Sequence, residues 1–254
     1  MPETLRQRDI GFQANLYESQ NPTRKWLHTT RRAWVLSKLE SVTSPCARFL
    51  EVGIGCGVYT EWMARHGFVT GLDINEDFVL AANFLRNVDA RVGDITQETK
   101  YDSEFDIAVC SEVIEHIVHS QAALNNIFRA LKSNGLLILT TPNRFSTMEL
   151  FARLLRFKLV AALARWVYSE PVDDLGHVNR LTRAALRKQI EMAGFEVVER
   201  YDVALYLPVV AEFGGSVGAS VCRWGADVLR RSDVLSHLLW TQCWVLRKPA
   251  YADV

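Results

Sequence analysis

The segment "CSEVIEHIVHS" (residues 110–120) contains three side chains that could do chemistry. Glu112, Glu115 and His116 are spaced i, i+3 and i+4, which places them on one face of a helical turn. Two carboxylates and an imidazole can bind Mg, Mn, Fe or Zn, and an imidazole can also act as a general base. A fourth ligand, His177, precedes a later predicted helix. The segment therefore predicts a metal site, a catalytic base or an ordinary helix end, depending on what surrounds it.

A glycine-rich loop, "FLEVGIGCGVYTEW", precedes this segment. Gly53, Gly55 and Gly57 let the backbone turn sharply and approach a ligand closely. Dinucleotide-binding loops have the spacing G-x-G-x-x-G, but Val58 stands at the position of the third glycine, which argues against an NAD-dependent dehydrogenase. The acidic residue before the loop, Glu51, would repel a pyrophosphate. Its negative charge instead favours binding of a cationic ligand that has an amine and a sulfonium.

Two aspartates follow the next predicted strands. Asp73 ends the strand "FVTGLDI", where a carboxylate can accept both hydroxyl groups of a ribose. Asp94 follows the strand "VDARV" in "VGDI", where it can reach an adenine amino group. An aspartate at a strand end is by itself commonly a turn or a helix cap. In this order and spacing, the loop and the two aspartates together predict a nucleoside-binding site.

The elements that would position these residues alternate between strands and helices, which predicts an α/β fold with a doubly wound parallel sheet. An amphipathic helix is predicted after Asn21-Pro22, and the helix "SQAALNNIFRALKSNG" is predicted to stop at its glycine. The stretch "EFGGSVGAS" is predicted to be a flexible turn. We divide one domain into a helical cap (1–45), a cofactor-binding core (46–143), a helical lid insertion (144–176) and the C-terminal part of the core (177–254).

These motifs resemble class I S-adenosylmethionine-dependent methyltransferases. The resemblance rests on "LEVGIGCG", "GLDIN", "VGDI", "FDIAVCSEVIEH" and "ALKSNGLLILTTPN". It implies a Rossmann-like, seven-stranded sheet whose last strand is antiparallel. It also implies a set of contacts to S-adenosylmethionine, from Glu51, Gly53, Gly55, Gly57, Asp73, Ile74, Asp94, Ile95 and the main chain near Cys110.

Two families within this class bear on "EVIEH". Small-RNA 2′-O-methyltransferases are similar in holding a magnesium with an E-x-x-E-H segment and a later histidine. Ubiquinone-biosynthesis O-methyltransferases are the more similar family, with E-x-x-E-H, a helical insertion and a following histidine. The resemblance implies Glu112, Glu115, His116 and His177 as ligands of Mg or another divalent metal that lowers the pKa of an acceptor hydroxyl. Without a metal, His116 or His177 is the candidate catalytic base.

The insertion has a broad apolar face and a basic one over residues 147–167. Such a helix is typical of a lid over an acceptor pocket or of peripheral contact with a membrane surface, as the ubiquinone-type insertion implies. Three aromatic residues of the cap are candidates for lining the acceptor pocket or for core packing: Tyr17, Trp26 and Trp34. His28, His66 and His237 are predicted to be structural, and His119 to be exposed.

Composition narrows the function further. The formal net charge of this 254-residue chain is zero, which disfavours a nucleic-acid partner. Five scattered cysteines and a polar N-terminus predict a cytoplasmic protein, and the insertion offers a site for peripheral contact with the membrane. We expect O-methylation of a small or lipid-like acceptor. The alternatives are N- or C-methylation without a metal, or a non-catalytic methyltransferase-like binding subunit. The oligomeric state stays undetermined.

Overall fold

A computed structural model describes residues 17–97, 100–154 and 178–250. A seven-stranded sheet with the order β3-β2-β1-β4-β5-β7-β6 forms its centre. Strands β1 to β5 pair in parallel, and β7 is antiparallel to both β5 and β6. The predicted seven-stranded α/β sheet with an antiparallel last strand is therefore confirmed. The strands are β1 (Ala47–Val52), β2 (Gly67–Asp73), β3 (Val88–Val92), β4 (Phe105–Ser111), β5 (Leu131–Pro142), β6 (Glu196–Val203) and β7 (Thr241–Arg247).

Helices cover both faces of this sheet. They are α1 (Pro22–Val42), α2 (Thr60–His66), α3 (Glu76–Ala82), α4 (Ser120–Ala130), α5 (Thr147–Leu154), α6 (Arg183–Met192), α7 (Pro208–Phe213) and α8 (Gly215–Arg230). Short 3-10 turns span Ile114–His116 and Leu235–Leu238. No helix within the described ranges is long and apolar enough to cross a membrane.

Successive side chains of a central strand pack into two separate hydrophobic cores, one on each face of the sheet. Phe49 packs with the residues of α1 and α2, whereas its neighbour Leu50 packs with those of α4 and α6. This follows from the two-residue period of a strand, which sends successive side chains to opposite faces. The site residues at the carboxyl edge therefore stand on a sheet that is buried on both sides.

The helix predicted after Asn21-Pro22, α1, begins where the sequence predicts. The side chain of Asn21 accepts hydrogen bonds from the backbone N–H groups of Thr23 and Arg24, which caps α1 ahead of its first turn. Leu27, Val35 and Leu39 lie on one stripe of α1 and are buried against the sheet. The cap thereby lies over the face that also carries α2, which brings its inner side chains to the carboxyl edge.

Two local predictions are wrong. The helix predicted to stop at Gly135 ends at Ala130, and residues 131–135 already belong to β5. The glycine-rich stretch is helical instead of a flexible turn, since residues 212–220 fall within α7 and α8 except for Gly214, which joins the two helices. Gly214 and Gly218 explain this, because a Cβ atom on either would lie 2.5 Å or less from the carbonyl oxygen of Val210. Those glycines serve close packing between α7 and α8.

Candidate active site

A cavity of about 860 Å³ opens at the carboxyl edge of the sheet. One end is lined by the glycine loop and by the ends of β2 and β3. The other end is lined by the segment after β4, by the cap and by Trp240, the residue before β7. Pockets for small molecules commonly measure about 300–1,000 Å³. The cavity therefore has room for a nucleoside cofactor and a small second ligand.

The glycine loop adopts the backbone that its sequence predicts. Gly53, Gly55 and Gly57 all have positive φ, at 77°, 54° and 77°. This left-handed region is costly for residues with a Cβ atom, so glycine is required by the turn itself. Gly53 and Gly55 line the cavity, and Gly57 faces Thr60 at the start of α2.

Asp73 fixes this loop from the end of β2. Its Oδ2 accepts a hydrogen bond from the Gly55 backbone N–H at 3.0 Å, and its Oδ1 accepts one from the Asn75 N–H at 2.8 Å. Each carboxylate oxygen has a further lone pair available. Asp73 also lines the cavity, so it can hold the loop and still accept hydrogen bonds from ribose hydroxyls.

The other predicted contacts on this side all line the cavity, although they differ in exposure. Exposed Ile74 and buried Ile95 both line the cavity, as does exposed Asp94. The Thr96 backbone N–H donates to Asp94, and this hydrogen bond lowers the pKa of the carboxyl below its ordinary value. Asp94 is therefore ionised at neutral pH, as a partner of an adenine amino group should be.

Glu51 and Cys110 lie behind the cavity wall. Thr60 donates a hydrogen bond to Oε2 of Glu51 at 2.5 Å, while Oε1 has no hydrogen-bond partner among the described residues. Burial raises the pKa of Glu51 to about 8, the Thr60 hydrogen bond lowers it, and Asp73 adds a smaller increase. The Cys110 thiol packs in the core, and burial raises its pKa. Close to Cys110, Ser111 is the residue whose side chain reaches the cavity.

The segment "EVIEH" is not the helical face that its spacing suggests. Glu112 has a φ of 57° and precedes the turn, and only residues 114–116 form a 3-10 helix. As a result, Glu115 is buried whereas His116 is exposed. All three line the cavity. The prediction of one shared helical face is wrong because Glu112 itself has a left-handed backbone and lies before the 3-10 turn.

These three side chains also have other partners. Glu112 forms an ion pair of 2.9 Å with Arg31, and Glu115 accepts a hydrogen bond from Thr141 at 2.9 Å. Burial and then the Glu112 charge raise the pKa of Glu115 well above its ordinary value. Among the described residues, no three His, Cys, Asp or Glu side chains form a group that could hold a metal. His177, the fourth predicted ligand, lies outside the described residues.

The cap supplies residues that sequence reasoning assigned elsewhere or missed. Tyr17, His28 and Arg31 line the cavity together with Tyr59 and Trp240. Of these residues, Arg31 is the one whose position in the sequence could have indicated a site. It stands four positions after Leu27 and four before Val35, on the buried stripe of α1, where a charge requires a partner.

Aromatic rings surround His28 at this end. The ring centroid of His28 lies 5.2 Å from that of Trp240 and 5.8 Å from that of Tyr17. Burial, followed by the charges of Arg31 and Arg24, lowers the pKa of His28 to about 3. This histidine is therefore neutral across the physiological range. Of the three cap aromatics that were candidates, Tyr17 lines the cavity, and Trp26 and Trp34 pack in the core.

Comparison with known proteins identifies similar chains. Residues 17–200 match a family described as a methyltransferase domain. A ubiquinone biosynthesis O-methyltransferase of Coxiella burnetii is 33% identical over 111 residues, which cover 41% of this chain and 47% of that protein. The protein of the same name in Rickettsia canadensis is 24% identical over 189 residues, covering 70% and 77%. The chain thus spans about half the length of the first curated relatives it matches.

A solved structure shares the fold over nearly its whole length. The N-methyltransferase NodS of Bradyrhizobium japonicum, in complex with S-adenosyl-L-homocysteine, has a TM-score of 0.58 to this chain at 18% identity. The likeness covers 98% of each chain.

Proposed function

Because the chain belongs to the class I S-adenosylmethionine-dependent methyltransferases, we propose that it transfers a methyl group from S-adenosylmethionine to an oxygen atom of a small or lipid-like acceptor. The observation that carries this proposal is the cavity, since the loop and Asp73 line one end and His28, Arg31 and Trp240 line the other. On this proposal, a single space holds the nucleoside at one end and the acceptor at the other. Relatives that share about 30% identity and are named as O-methyltransferases support oxygen as the acceptor atom.

The cofactor end fits S-adenosylmethionine. The glycine loop, with its positive φ angles, lets the backbone approach a bound ligand closely. Asp73 and Asp94 provide carboxylate oxygens that can accept hydrogen bonds from the ribose and the adenine. Ser111, at the end of β4, also lines the cavity and donates a hydrogen bond to the Tyr59 hydroxyl at 3.3 Å. When bound, S-adenosylmethionine supplies an electrophilic methyl group on a sulfonium. The protein's part is to align the acceptor oxygen with that group, and proximity of this kind can supply much of the rate enhancement.

We assign the transfer of the acceptor proton to His116, with His177 as the second candidate. His116 lines the cavity and is exposed, so it can accept a proton from the acceptor and pass it to solvent. We assign no catalytic step to a metal held by the four predicted ligands. Of the three that are described, Glu112 pairs with Arg31, Glu115 is bound by Thr141, and His116 is exposed.

The lid insertion completes the proposal. Residues 147–154 form α5, and residues 155–176 of the insertion lie outside the described residues. Buried Glu149 forms an ion pair of 2.9 Å with Arg180, which ties the start of the insertion to the chain before α6. We propose that residues 147–167 cover the acceptor and contact a membrane surface. Flotation with vesicles of anionic lipid, compared with vesicles of neutral lipid, tests the membrane part.

The decisive experiment measures S-adenosylhomocysteine formation against matched panels of phenols, catechols, quinols and amines. We expect product with oxygen acceptors, and a fall in kcat of roughly 10²–10⁴-fold for His116→Ala if it is the general base. His66→Ala is the control, since His66 is an exposed histidine at the end of α2 that does not line the cavity. His177→Ala distinguishes the second candidate. Methylation of amines alone would contradict oxygen transfer, and cofactor binding without turnover on any acceptor would favour a non-catalytic binding subunit.

A further inference from the structure

A row of apolar side chains runs along the outer face of α8. It consists of Val217 (72% exposed), Val221 (42%), Trp224 (70%) and Val228 (38%). The four residues are spaced by four, three and four positions, which keeps their side chains on one side of a helix. Single exposed apolar residues are ordinary on protein surfaces, whereas a continuous row indicates a surface that another molecule covers.

Contacts along α8 hold this row outward. The opposite face of the helix is buried through small residues, namely Gly218, Ala219, Cys222 and Ala226. At the C-terminal end, Nε of Arg230 donates a hydrogen bond to the carbonyl oxygen of Asp202 at 2.9 Å, and the Arg230 guanidinium lies 4.7 Å from the centroid of the Tyr201 ring. These contacts fix the rotation of α8, so the row faces away from the described part of its own chain.

We propose that this row is the core of an interface with a second copy of the chain, in which two α8 helices pack antiparallel across a twofold axis. Such an interface is isologous, because each copy presents the same row to the other. None of the four side chains lines the cavity, so the interface is separate from the cofactor site.

The residue types of the row favour a second helix as its partner over a lipid surface. Valine in a helix has one dominant χ1 rotamer, so the three valines lose little side-chain entropy when they pack against another helix. Helices that lie on membranes instead insert long side chains such as Leu, Phe and Trp, below a polar face that is rich in Lys and Arg. Beside this row, the exposed charges are of both signs, with Asp227 as well as Arg223.

These charges also favour the antiparallel direction. Arg223 and Asp227 are four residues apart and therefore lie on the same edge of the row. In an antiparallel pair this edge faces the same edge of the other copy in reverse order, so Arg223 of one copy lies toward Asp227 of the other. Arg231 continues the row after α8, and a parallel pair would bring the two Arg231 side chains together against their repulsion. The charges form a polar rim around the apolar core of the interface.

The area of the row is that of a weak, reversible dimer. Together the four side chains expose on the order of 400 Å² of apolar surface. A standard interface buries about 800 Å² on each partner, so the row and its rim lie at the low end of this scale. We therefore expect a dissociation constant in the micromolar range.

Sedimentation velocity of the full chain at about 1 to 300 µM tests the inference. We expect the sedimentation coefficient to rise with concentration as monomer converts to dimer, and Trp224→Glu to weaken the dimer at least tenfold. Phe84→Glu is the matched control, because Phe84 is 90% exposed and lies outside the row, so self-association should not change. All these variants should bind S-adenosylhomocysteine as the wild type does, which shows that they are folded.

A charge-pair experiment tests the direction and guards further against loss of folding. Val217→Glu and Val228→Lys should each weaken self-association at least tenfold. An equimolar mixture of the two variants should associate more tightly than either variant alone. Residues 217 and 228 lie at opposite ends of the row, so only an antiparallel pair brings the new charges together.

Three results would overturn the inference. A wild-type protein that stays monomeric up to about 300 µM would show that something other than a second copy covers the row. Self-association that Trp224→Glu leaves unchanged, or that Phe84→Glu weakens equally, would place the interface elsewhere. Flotation with lipid vesicles that Trp224→Glu abolishes, without self-association, would assign the row to a membrane. A mixture that associates no better than its components would overturn the antiparallel arrangement.

Discussion

Gly53 and Val113 approach each other so closely that a Cβ atom on Gly53 would lie 2.2 Å from Cγ2 of Val113. Gly53 also has a φ of 77°, in the left-handed region. Gly53→Ala should therefore weaken binding of S-adenosylhomocysteine at least tenfold and destabilise the fold. The backbone part alone costs about 1–2 kcal/mol, and displacement of Val113 adds to it. Isothermal titration calorimetry and thermal unfolding measure the two effects.

Gly57→Ala is the matched control for this prediction. Its φ is also 77°, but a Cβ atom there would meet Thr60 Oγ1 at 3.8 Å, an ordinary contact. We expect the backbone cost without the collision, so Gly57→Ala should bind the ligand more tightly than Gly53→Ala. Equal losses in both variants would show that the contact with Val113 is irrelevant.

Asp73→Asn should loosen the glycine loop. The carboxylate accepts hydrogen bonds from the N–H groups of Gly55 and Asn75, and an amide can offer only one oxygen to the two donors. Loss of a hydrogen bond to a charged group costs about 1.5–3 kcal/mol, which corresponds to roughly 10–100-fold in cofactor affinity. The measurement is the Kd of S-adenosylhomocysteine. Asp89→Asn, on the neighbouring strand β3, should leave that Kd unchanged because its carboxylate pairs with Arg91 away from the cavity.

The cofactor end was predictable because its chemistry is local in the sequence. The loop and Asp73 follow adjacent strands of a parallel sheet, and the carboxyl ends of such strands lie at one edge. Strand–helix alternation therefore sufficed to bring them together. The same reasoning placed Ile74 and Asp94 at the cavity, since each follows the end of a strand.

The acceptor end was not predictable in this way. Arg31 and Glu112 belong to distant parts of the chain, and no spacing rule relates a cap helix to the end of β4. The i, i+3, i+4 rule failed at "EVIEH" because it assumes helical backbone from its first residue, whereas Glu112 has a left-handed φ. The glycines of α7 and α8 led to the wrong prediction of a flexible turn. Glycine is favoured both in flexible turns and where two helices pack closely, so the sequence does not distinguish the two.

Glu51→Gln should change how stability depends on pH. The pKa of Glu51 is about 8 in the folded protein, against an ordinary value of 4.5, chiefly because of burial. Between these values the folded state keeps its proton while the unfolded state loses it, so this residue makes the folded state progressively less stable as the pH rises from about 4.5 to 8. We expect Glu51→Gln to have little effect on the free energy of unfolding near pH 4.5. By pH 8 it should be more stable than the wild type, by up to several kcal/mol at about 1.4 kcal/mol for each unit of the shift.

Denaturant unfolding at several pH values between 4.5 and 8 measures this difference. Glu61→Gln is the control, because Glu61 is exposed on the same loop-to-helix segment and pairs only with exposed Arg65 among the described residues. A difference between wild type and Glu51→Gln that does not grow with pH would contradict the raised pKa.

Asp202→Asn should destabilise the fold while leaving the cofactor end intact. Asp202 is 3% exposed and forms ion pairs with Arg183 at 2.9 Å and Arg200 at 3.0 Å, so it joins α6 to β6. Removing one partner of a buried ion pair leaves uncompensated charge and costs roughly 3–5 kcal/mol. Asp202 does not line the cavity, so the variant should still bind S-adenosylhomocysteine normally. We expect its Kd, measured well below the melting temperature, to stay within about twofold of the wild-type value, whereas a loss of 1.4 kcal/mol would change it about tenfold.

Asp227→Asn provides the comparison for that loss of stability. Asp227 pairs with Arg230 at 2.7 Å on α8, but its side chain is 66% exposed. Exposed pairs contribute at most about 1 kcal/mol because water and salt screen them. Thermal unfolding should therefore rank the Asp202 variant far below the Asp227 variant. Similar melting temperatures for the two would mean that burial adds nothing to the Asp202 pairs, and the described link between α6 and β6 would then carry no stability.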